Sequence, residues 1–182
     1  MSSSSMKLST ARTLPKPPQS RPAMAKESTA PNGKAQDAIA LRKADHKEVD
    51  HLLGKYEEAD DSDKEAIAQQ ICTALRVHAQ IEEEILYPAA REVLDEEDDE
   101  LVNEADVEHA SIKQLVAEVQ ESSPDDEHYD AKVKVIGEYV KHHVKEEEKE
   151  LFPKLERSDL DTKVLGEQLA ERKAELLAAE GA

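Results

Sequence analysis

One segment of this chain occurs twice, and each copy carries a histidine and a glutamate one helical turn apart. Residues 78–88 read HAQIEEEILYP and residues 143–153 read HVKEEEKELFP. Residues four apart lie above one another on a helix, so each copy directs its histidine and glutamate to one side. Any fold of this chain therefore has to place two such pairs on helix faces.

Everything from Asp37 onward has the pattern of amphipathic helices. Apolar residues recur at spacings of three and four, helix-forming residues dominate, and no stretch alternates as a strand does. Capping signals at Ser62, Ser123 and Ser158 mark helix starts. The short connections favour an all-α, antiparallel up-down four-helix bundle with an extra C-terminal helix. The predicted spans are 37–58, 63–93, 97–121 and 124–153 for the bundle, and 159–179 for the C-terminal helix.

Each copy of the repeated segment ends in an aromatic residue and a proline, Tyr87-Pro88 and Phe152-Pro153. Proline lacks the amide hydrogen that a helix needs, so we expect each helix to kink or end there. Each proline lies roughly 15 Å of helix beyond its histidine. We therefore interpret the two aromatic side chains as a plug that closes one end of the bundle, rather than as part of a gas path.

The first 36 residues differ in composition from the rest of the chain. They contain five of the eight prolines, a serine run and several basic residues, but a single acidic residue, Glu27. Because they have no apolar period to bury, we predict a disordered arm. The expected organisation is this arm at 1–36, a helical bundle at 37–155 and a C-terminal helical segment at 156–182.

The charge balance argues against several classes of partner. The formal net charge is −18 and the sequence has no basic stripe of the kind that neutralises phosphates, so nucleic acid is not an expected partner. No apolar run is long enough to cross a membrane, and a membrane is not an expected partner of this protein. Cys72 is the single cysteine, which excludes an internal disulfide and favours a cytoplasmic protein.

The apolar stripe of every predicted bundle helix is interrupted by residues that bind metals. Antiparallel packing brings the histidines to similar depths, so we expect these residues to meet near the middle of the bundle. Imidazole and carboxylate donors suit iron, manganese or zinc, and a dinuclear site bridged by two carboxylates would offset the cost of burying them. The six residues are His46, His78, Glu82, His109, His143 and Glu147.

A second pair on the last bundle helix, His142 and Glu146, has the same four-residue spacing. We assign His143 and Glu147 to the interior instead, because alignment of the two aromatic-proline endings matches His143 with His78. The register with His142 inside remains the alternative.

These motifs resemble those of the hemerythrin-like, HHE cation-binding family. The matching elements are Ala44-Asp45-His46, His78-x-x-x-Glu82-Glu83 ending in Tyr87-Pro88, Glu108-His109, and His143-x-x-x-Glu147-Glu148 ending in Phe152-Pro153. Together they cover most of residues 37–155. The resemblance implies a four-helix bundle around two non-haem iron ions, oxo- or hydroxo-bridged, that are held by the six residues named above.

One departure from the oxygen-carrying hemerythrins affects the expected function. Those proteins are expected to have two histidines one turn apart on the third helix, but the positions four away from His109 hold Ala105 and Lys113. About two coordination positions would then be open, which favours reactivity over reversible storage. The resemblance thus implies a protein that meets O2, peroxide or NO as a sensor, scavenger or weak catalase-like enzyme. No side chain is assigned as a catalytic acid, base or nucleophile.

Other interpretations remain open. Zinc or manganese could replace iron, and a metal-free acidic helical interaction module would use the histidines only to fill its core. A ferritin-like bundle would need two Glu-x-x-His pairs, but Glu48 and His51 lie off the face of His46 and have no matching pair. The apolar stripe of the C-terminal helix either covers the bundle or joins two copies, so we predict a monomer or a homodimer.

Overall fold

The computed structural model describes residues 37–180, and every regular element in this range is helical. Two π-helical turns, Glu82–Leu86 and Glu147–Leu151, each join two α-helices without a break. The arm predicted at 1–36 lies outside the described residues. In chain order the α-helices are α1 (Ala38–Glu58), α2 (Asp61–Ile81), α3 (Tyr87–Val93), α4 (Asp99–Glu121), α5 (Tyr129–Glu146), α6 (Phe152–Arg157) and α7 (Thr162–Glu180).

Four helical rods form a closed bundle. The rods are α1, α2 continued by α3, α4, and α5 continued by α6. α1 packs against α2, α2 against α4, α4 against α5, and α5 against α1. Short turns between consecutive rods make neighbours antiparallel. The predicted all-α, up-down four-helix bundle is therefore confirmed.

The C-terminal helix packs against the side of this bundle. α7 contacts α1 and α2, and the side chains of Leu165 and Leu169 are buried among bundle residues. The carboxylate of Asp37 caps the first turn of α1 and also accepts the hydroxyl of Thr162, so it ties the start of α1 to the start of α7. The sequence predicts that this helix either covers the bundle or joins two copies, and the contacts of α7 show that it covers the bundle.

Two apolar clusters fill the interior and leave a polar layer between them. Along each rod, the predicted ligand histidine falls between members of the two clusters, so hydrocarbon lies on both sides of the polar layer. Cys72 belongs to the first cluster, and burial raises the pKa of its thiol to about 11, which fits a packing residue. Representative members are Val49, Leu53, Ile71, Val116 and Ile136 in the first cluster, and Ile39, Leu86, Val102, Phe152 and Leu155 in the second.

The prolines of the repeated segment are accommodated by the π-helical turns, and neither helix ends there. The N–H of Tyr87 bonds to the carbonyl of Glu82, and the N–H of Phe152 to that of Glu147, each five residues back along the chain. The wider turn adjusts the backbone just before the residue that has no amide hydrogen to donate, and the helix then continues. The turns begin at the two predicted ligand glutamates, so they also set where those side chains point.

The fourth rod begins later than the sequence predicts. α5 starts at Tyr129, whereas the capping signal predicted a start at Pro124. Residues 122–128 form turns instead, in which the carboxylate of Asp126 accepts the backbone N–H of Ser123. Short polar side chains stabilise turns by the same bonds that cap helices, so the capping signal is real but marks a turn here.

Candidate metal centre

The six residues predicted as metal ligands meet in one buried layer. None is more than 6% exposed. Their nitrogen and oxygen atoms form two overlapping groups, and within each group one atom per residue lies within 4.8 Å of the others. The layer contains His46 of α1, His78 of α2, His109 of α4, His143 of α5, and Glu82 and Glu147 at the starts of the π-helical turns.

The four imidazoles form two pairs. The rings of His46 and His78 have centroids 5.1 Å apart, and the Nε2 atoms of His109 and His143 are 3.1 Å apart. One of the two ligand groups contains the first pair and the other contains the second pair together with His78. Two neighbouring cations, one beside each pair, fit this division.

Each glutamate carboxylate lies between the two imidazole pairs. Its Oε2 atom lies near Nε2 of one histidine from each pair, so it is within reach of a cation beside either pair. The distances between these atoms are 2.9 Å for Glu82 to His78, 3.4 Å for Glu82 to His109, 3.2 Å for Glu147 to His46 and 3.6 Å for Glu147 to His143.

Several of these atoms form no well-aligned hydrogen bond within residues 37–180, although a nitrogen or oxygen of a neighbouring residue lies close to each of them. They are Nε2 of His46, both carboxylate oxygens of Glu82, and Oε2 of Glu147. A buried polar atom without a partner is costly, and a buried carboxylate more so. The same atoms are those that a bound cation would coordinate, so the donor set of this layer fits a metal ion.

Three of the histidines are oriented by a carboxylate on their outer side. A carboxylate can only accept, so in the neutral form of each ring Nδ1 carries the proton and Nε2 has the free lone pair. Such outer partners fix the ring and raise its basicity as a metal ligand. The pairs are His46 with Glu148 at 2.8 Å, His109 with Glu83 at 3.2 Å, and His143 with Glu108 at 2.9 Å.

The fourth histidine has a cation instead at its outer nitrogen. Nη2 of Arg42 lies 2.7 Å from Nδ1 of His78, and because a guanidinium only donates, this nitrogen accepts. Nε of Arg42 is 3.1 Å from Oε1 of Glu82, and Nη2 also pairs with Asp45, whose other oxygen accepts from Lys173 of α7. The proton of neutral His78 then lies on Nε2, which faces Oε2 of Glu82 at 2.9 Å, so a cation at this atom would have to displace that proton.

The buried groups shift one another's protonation. Burial raises the pKa of Glu82, but His78 and the Arg42 guanidinium outweigh it and hold this pKa well below its usual range. Burial lowers the pKa of His78 well below its usual range, so the ring is neutral, as a ligand must be. Burial also lowers the pKa of His109, but the carboxylates of Glu82 and Glu83 outweigh it and raise this pKa to about 9. A cation therefore has to displace a proton from His109.

The aromatic residues of the repeated segment contact the centre, so their interpretation as a remote plug is wrong. The hydroxyl of Tyr87 donates to Oε1 of Glu147 at 3.1 Å and lies 3.3 Å from Nε2 of His109. The ring of Phe152 stacks on His46 with centroids 5.8 Å apart. Side chains on a helix point back toward its N-terminus, which shortens the distance that a count of residues along the axis suggests.

The two candidate registers of α5 are clearly separated. His143 is 2% exposed and faces the centre, whereas the side chain of His142 is 60% exposed. His142 pairs with Glu146 at 3.2 Å on the outer face of the helix. The structure thus places His143 inside, as the alignment of the repeated segments predicted.

Sequence reasoning assigned no role to several residues that surround the centre. The signals were present: Arg42 lies one turn before His46 on the same face, Glu83 and Glu148 directly follow the ligand glutamates, and Glu108 directly precedes His109. What was missing was the direction of each side chain, which depends on how neighbouring rods pack.

Substitution of His143 should separate the two registers. His143→Ala is expected to release tightly held metal and to lower stability, because it removes an inward nitrogen donor. His142→Ala is the matched control and should keep the same number of tightly held ions. Elemental analysis after gel filtration measures both. Equal loss of metal from the two variants would contradict the assignment.

Arg42 should contribute more to the stability of the metal-free protein than to that of the metal-loaded protein. Arg42→Met leaves Glu82 and Asp45 without their buried countercharge, so the free energy of unfolding should fall by about 3–5 kcal/mol. Saturating metal should recover part of this loss, because a cation then neutralises Glu82. Urea unfolding with a chelator and with metal checks this.

The matched control for that experiment is Arg91→Met. Arg91 forms its ion pair with Asp106 at the surface, so its loss should cost less than about 1 kcal/mol. Equal losses for the two arginine variants, or a loss at Arg42 that metal leaves unchanged, would show that the buried guanidinium is not coupled to the centre.

Comparisons with known proteins agree with this geometry. A crystal structure of a hemerythrin HHE cation binding domain-containing protein from Mycobacterium kansasii, an Rv2633c homologue, matches the fold with a TM-score of 0.67. The match covers 79% of this chain and 89% of the other at 21% sequence identity, which shows a shared fold.

A sequence relative from Nostoc sp. is named DNA nickase. It is 29% identical over 140 residues, which make up 76% of this chain and 38% of the relative. This chain therefore spans well under half of that relative's length. The family model described as the hemerythrin HHE cation binding domain matches residues 37–155, the part of the chain that builds the bundle and its buried layer. The chain belongs to the hemerythrin HHE cation-binding domain family.

Proposed function

We propose that this chain is a non-haem di-iron protein that interacts with O2, peroxide or NO. The observation that supports this most is the position of Glu82 and Glu147 between two imidazole pairs, with three carboxylate oxygens that form no well-aligned hydrogen bond within residues 37–180. Two bridged cations would coordinate these atoms and offset their buried charge. The protein would act as a sensor, a scavenger or a weak catalase-like enzyme.

Iron is the metal that we propose for both positions. Mixed imidazole and carboxylate donors suit iron, and membership of the hemerythrin HHE family supports it. When bound, an iron pair would supply the exchange of electrons with a small oxidant that amino-acid side chains lack. Zinc and manganese accept the same donors, so metal analysis distinguishes the three.

The chain itself offers a small and largely apolar space beside the centre. A cavity of ≈ 10 Å³ lies against the inner histidines, and a space of this size holds roughly one water-sized molecule. A space of this size excludes any substrate much larger than a water molecule. Its lining consists of the four histidines with Val49, Leu75, Ala79, Ile112, Val140 and Val144.

The competing hypothesis of a metal-free interaction module does not account for the unpartnered atoms. Histidines that only fill a core would be expected to form well-aligned hydrogen bonds with the neighbouring carboxylates. Both oxygens of Glu82 lack such a bond within residues 37–180, although Arg42 and His78 lie beside them. No helix in this range is long and apolar enough to cross a membrane. We also propose a cytoplasmic location, which the single, buried Cys72 supports.

The full chain purified from cells grown without added metal should carry about two iron ions. Oxidised protein should show near-ultraviolet ferric absorption, and mixing the reduced protein with O2, peroxide or NO should change its spectrum. His78→Ala should abolish both signals because it removes a donor from the centre. Less than one iron per chain in the wild-type protein, or bound zinc with no spectral response, would overturn the proposal.

We propose that nucleic acid is not a partner, although one relative is named DNA nickase. A net charge of −18 opposes association with phosphate backbones. The chain spans only 38% of that relative, so the named activity can reside in segments that this chain lacks.

Supercoiled plasmid should accordingly stay intact when it is incubated with the metal-loaded chain at physiological salt. Gel electrophoresis measures the nicked fraction, and His78→Ala is the control for any contaminating nuclease. Nicking by the wild-type chain that disappears in this variant would show that the buried centre acts on DNA.

A further inference from the structure

Outside the buried layer, a second cluster of ligand residues lies on the surface between α4 and α5. Nε2 of His142 is 3.3 Å from Oε1 of Glu108 and 3.2 Å from Oε1 of Glu146. One atom from each of the three lies within 4.8 Å of the others. The side chain of His142 is 60% exposed, and those of Glu108 and Glu146 are 21% and 29% exposed. One imidazole and two carboxylates thus converge within reach of solvent.

No lysine or arginine of the described chain pairs with the carboxylates of this outer cluster, Glu108 and Glu146. The corresponding glutamate beside His109 differs, because Glu83 binds Lys113 through both oxygens at 2.7 and 2.8 Å. Beside His109 the carboxylate of Glu83 is thus neutralised by Lys113. Beside His143 the carboxylate of Glu108 has no such partner and can bind a cation from solution.

The outer cluster is joined to the buried layer through Glu108. Its Oε1 atom faces His142, while its Oε2 atom accepts from Nδ1 of His143 at 2.9 Å. A small cavity lined by Glu108, His143, Glu146 and Glu147 lies between the two groups. Glu147 is 2% exposed, and its Oε2 atom has no hydrogen-bond partner in the described chain. Potential ligand atoms are thus present in the outer cluster, around the small cavity and in the buried layer.

We propose that Glu108, His142 and Glu146 form a divalent-cation site through which metal ions reach the buried centre. The entry role rests on the proposed metal-binding function of that centre. Three protein donors at an exposed position leave the other coordination positions to water, so the ion is held weakly and can leave again. The carboxylates without a lysine or arginine partner raise the local concentration of cations.

The test uses the full chain after a chelator has removed its metal, with Co²⁺ as the probe ion. Equilibrium dialysis followed by elemental analysis counts all bound ions, and gel filtration before analysis counts only the tightly held ones. Stopped-flow absorption measures the rate of uptake. The double variant His142→Gln with Glu146→Gln removes the outer site and spares every residue of the buried layer. The matched control is His51→Gln with Glu58→Gln, two exposed residues of α1.

The outer-site variant should bind one weakly held ion fewer than the wild-type chain and should load the buried centre about tenfold more slowly. Its number of tightly held ions should not change, and the control should match the wild-type chain. An unchanged number of weakly held ions or an unchanged rate of uptake would overturn the proposal of an outer cation site. A wild-type chain that retains no tightly held ion would instead reject the proposed function of the centre.

Discussion

The burial of two carboxylates away from solvent is the main physical constraint on this protein. Glu82 and Glu147 are at most 2% exposed, and burial of an ionised carboxylate is unfavourable unless opposite charge or hydrogen bonds compensate. The chain supplies one buried guanidinium, Arg42, and four imidazoles around them. This compensation is incomplete, because within residues 37–180 both oxygens of Glu82 and Oε2 of Glu147 lie near Arg42 or imidazole nitrogens but form no well-aligned hydrogen bond. Affinity for a cation follows from that deficit, and the bundle is the frame that maintains it.

The remainder of the fold serves to hold this polar layer in a fixed place. Apolar clusters on either side exclude water and keep the four rods in register. The π-helical turns place Glu82 and Glu147 in the same way in both repeated segments, and each turn also carries the chain past a proline. A local departure from α-helical geometry at a ligand residue is a common way to aim a side chain into a site. The two copies of the repeated segment thus share the same local structure and place their glutamates in the same way.

The differences between the two halves of the centre are as informative as the repetition. His78 faces the Arg42 guanidinium, whereas His143 faces Glu108 and, through it, the exposed His142. One side of the layer therefore carries its own positive charge, and the other has an acidic path toward solvent. Ala105, buried one turn before His109, offers no donor where the oxygen-carrying relatives are expected to have one. Residues around the bundle frame, rather than the frame itself, therefore make the two halves of the layer chemically different.

The sequence by itself determined the helical bundle, the six residues of the buried layer and the choice of His143 over His142, because periodicity and repetition report which face of a helix each residue occupies. It did not determine that α5 starts at Tyr129, that the prolines follow π-helical turns, or that Tyr87 and Phe152 contact the histidines. Nor did it identify Arg42, Glu83, Glu108 and Glu148 as the groups that orient the imidazoles. Those features depend on distances between side chains of different rods, which only the tertiary packing decides.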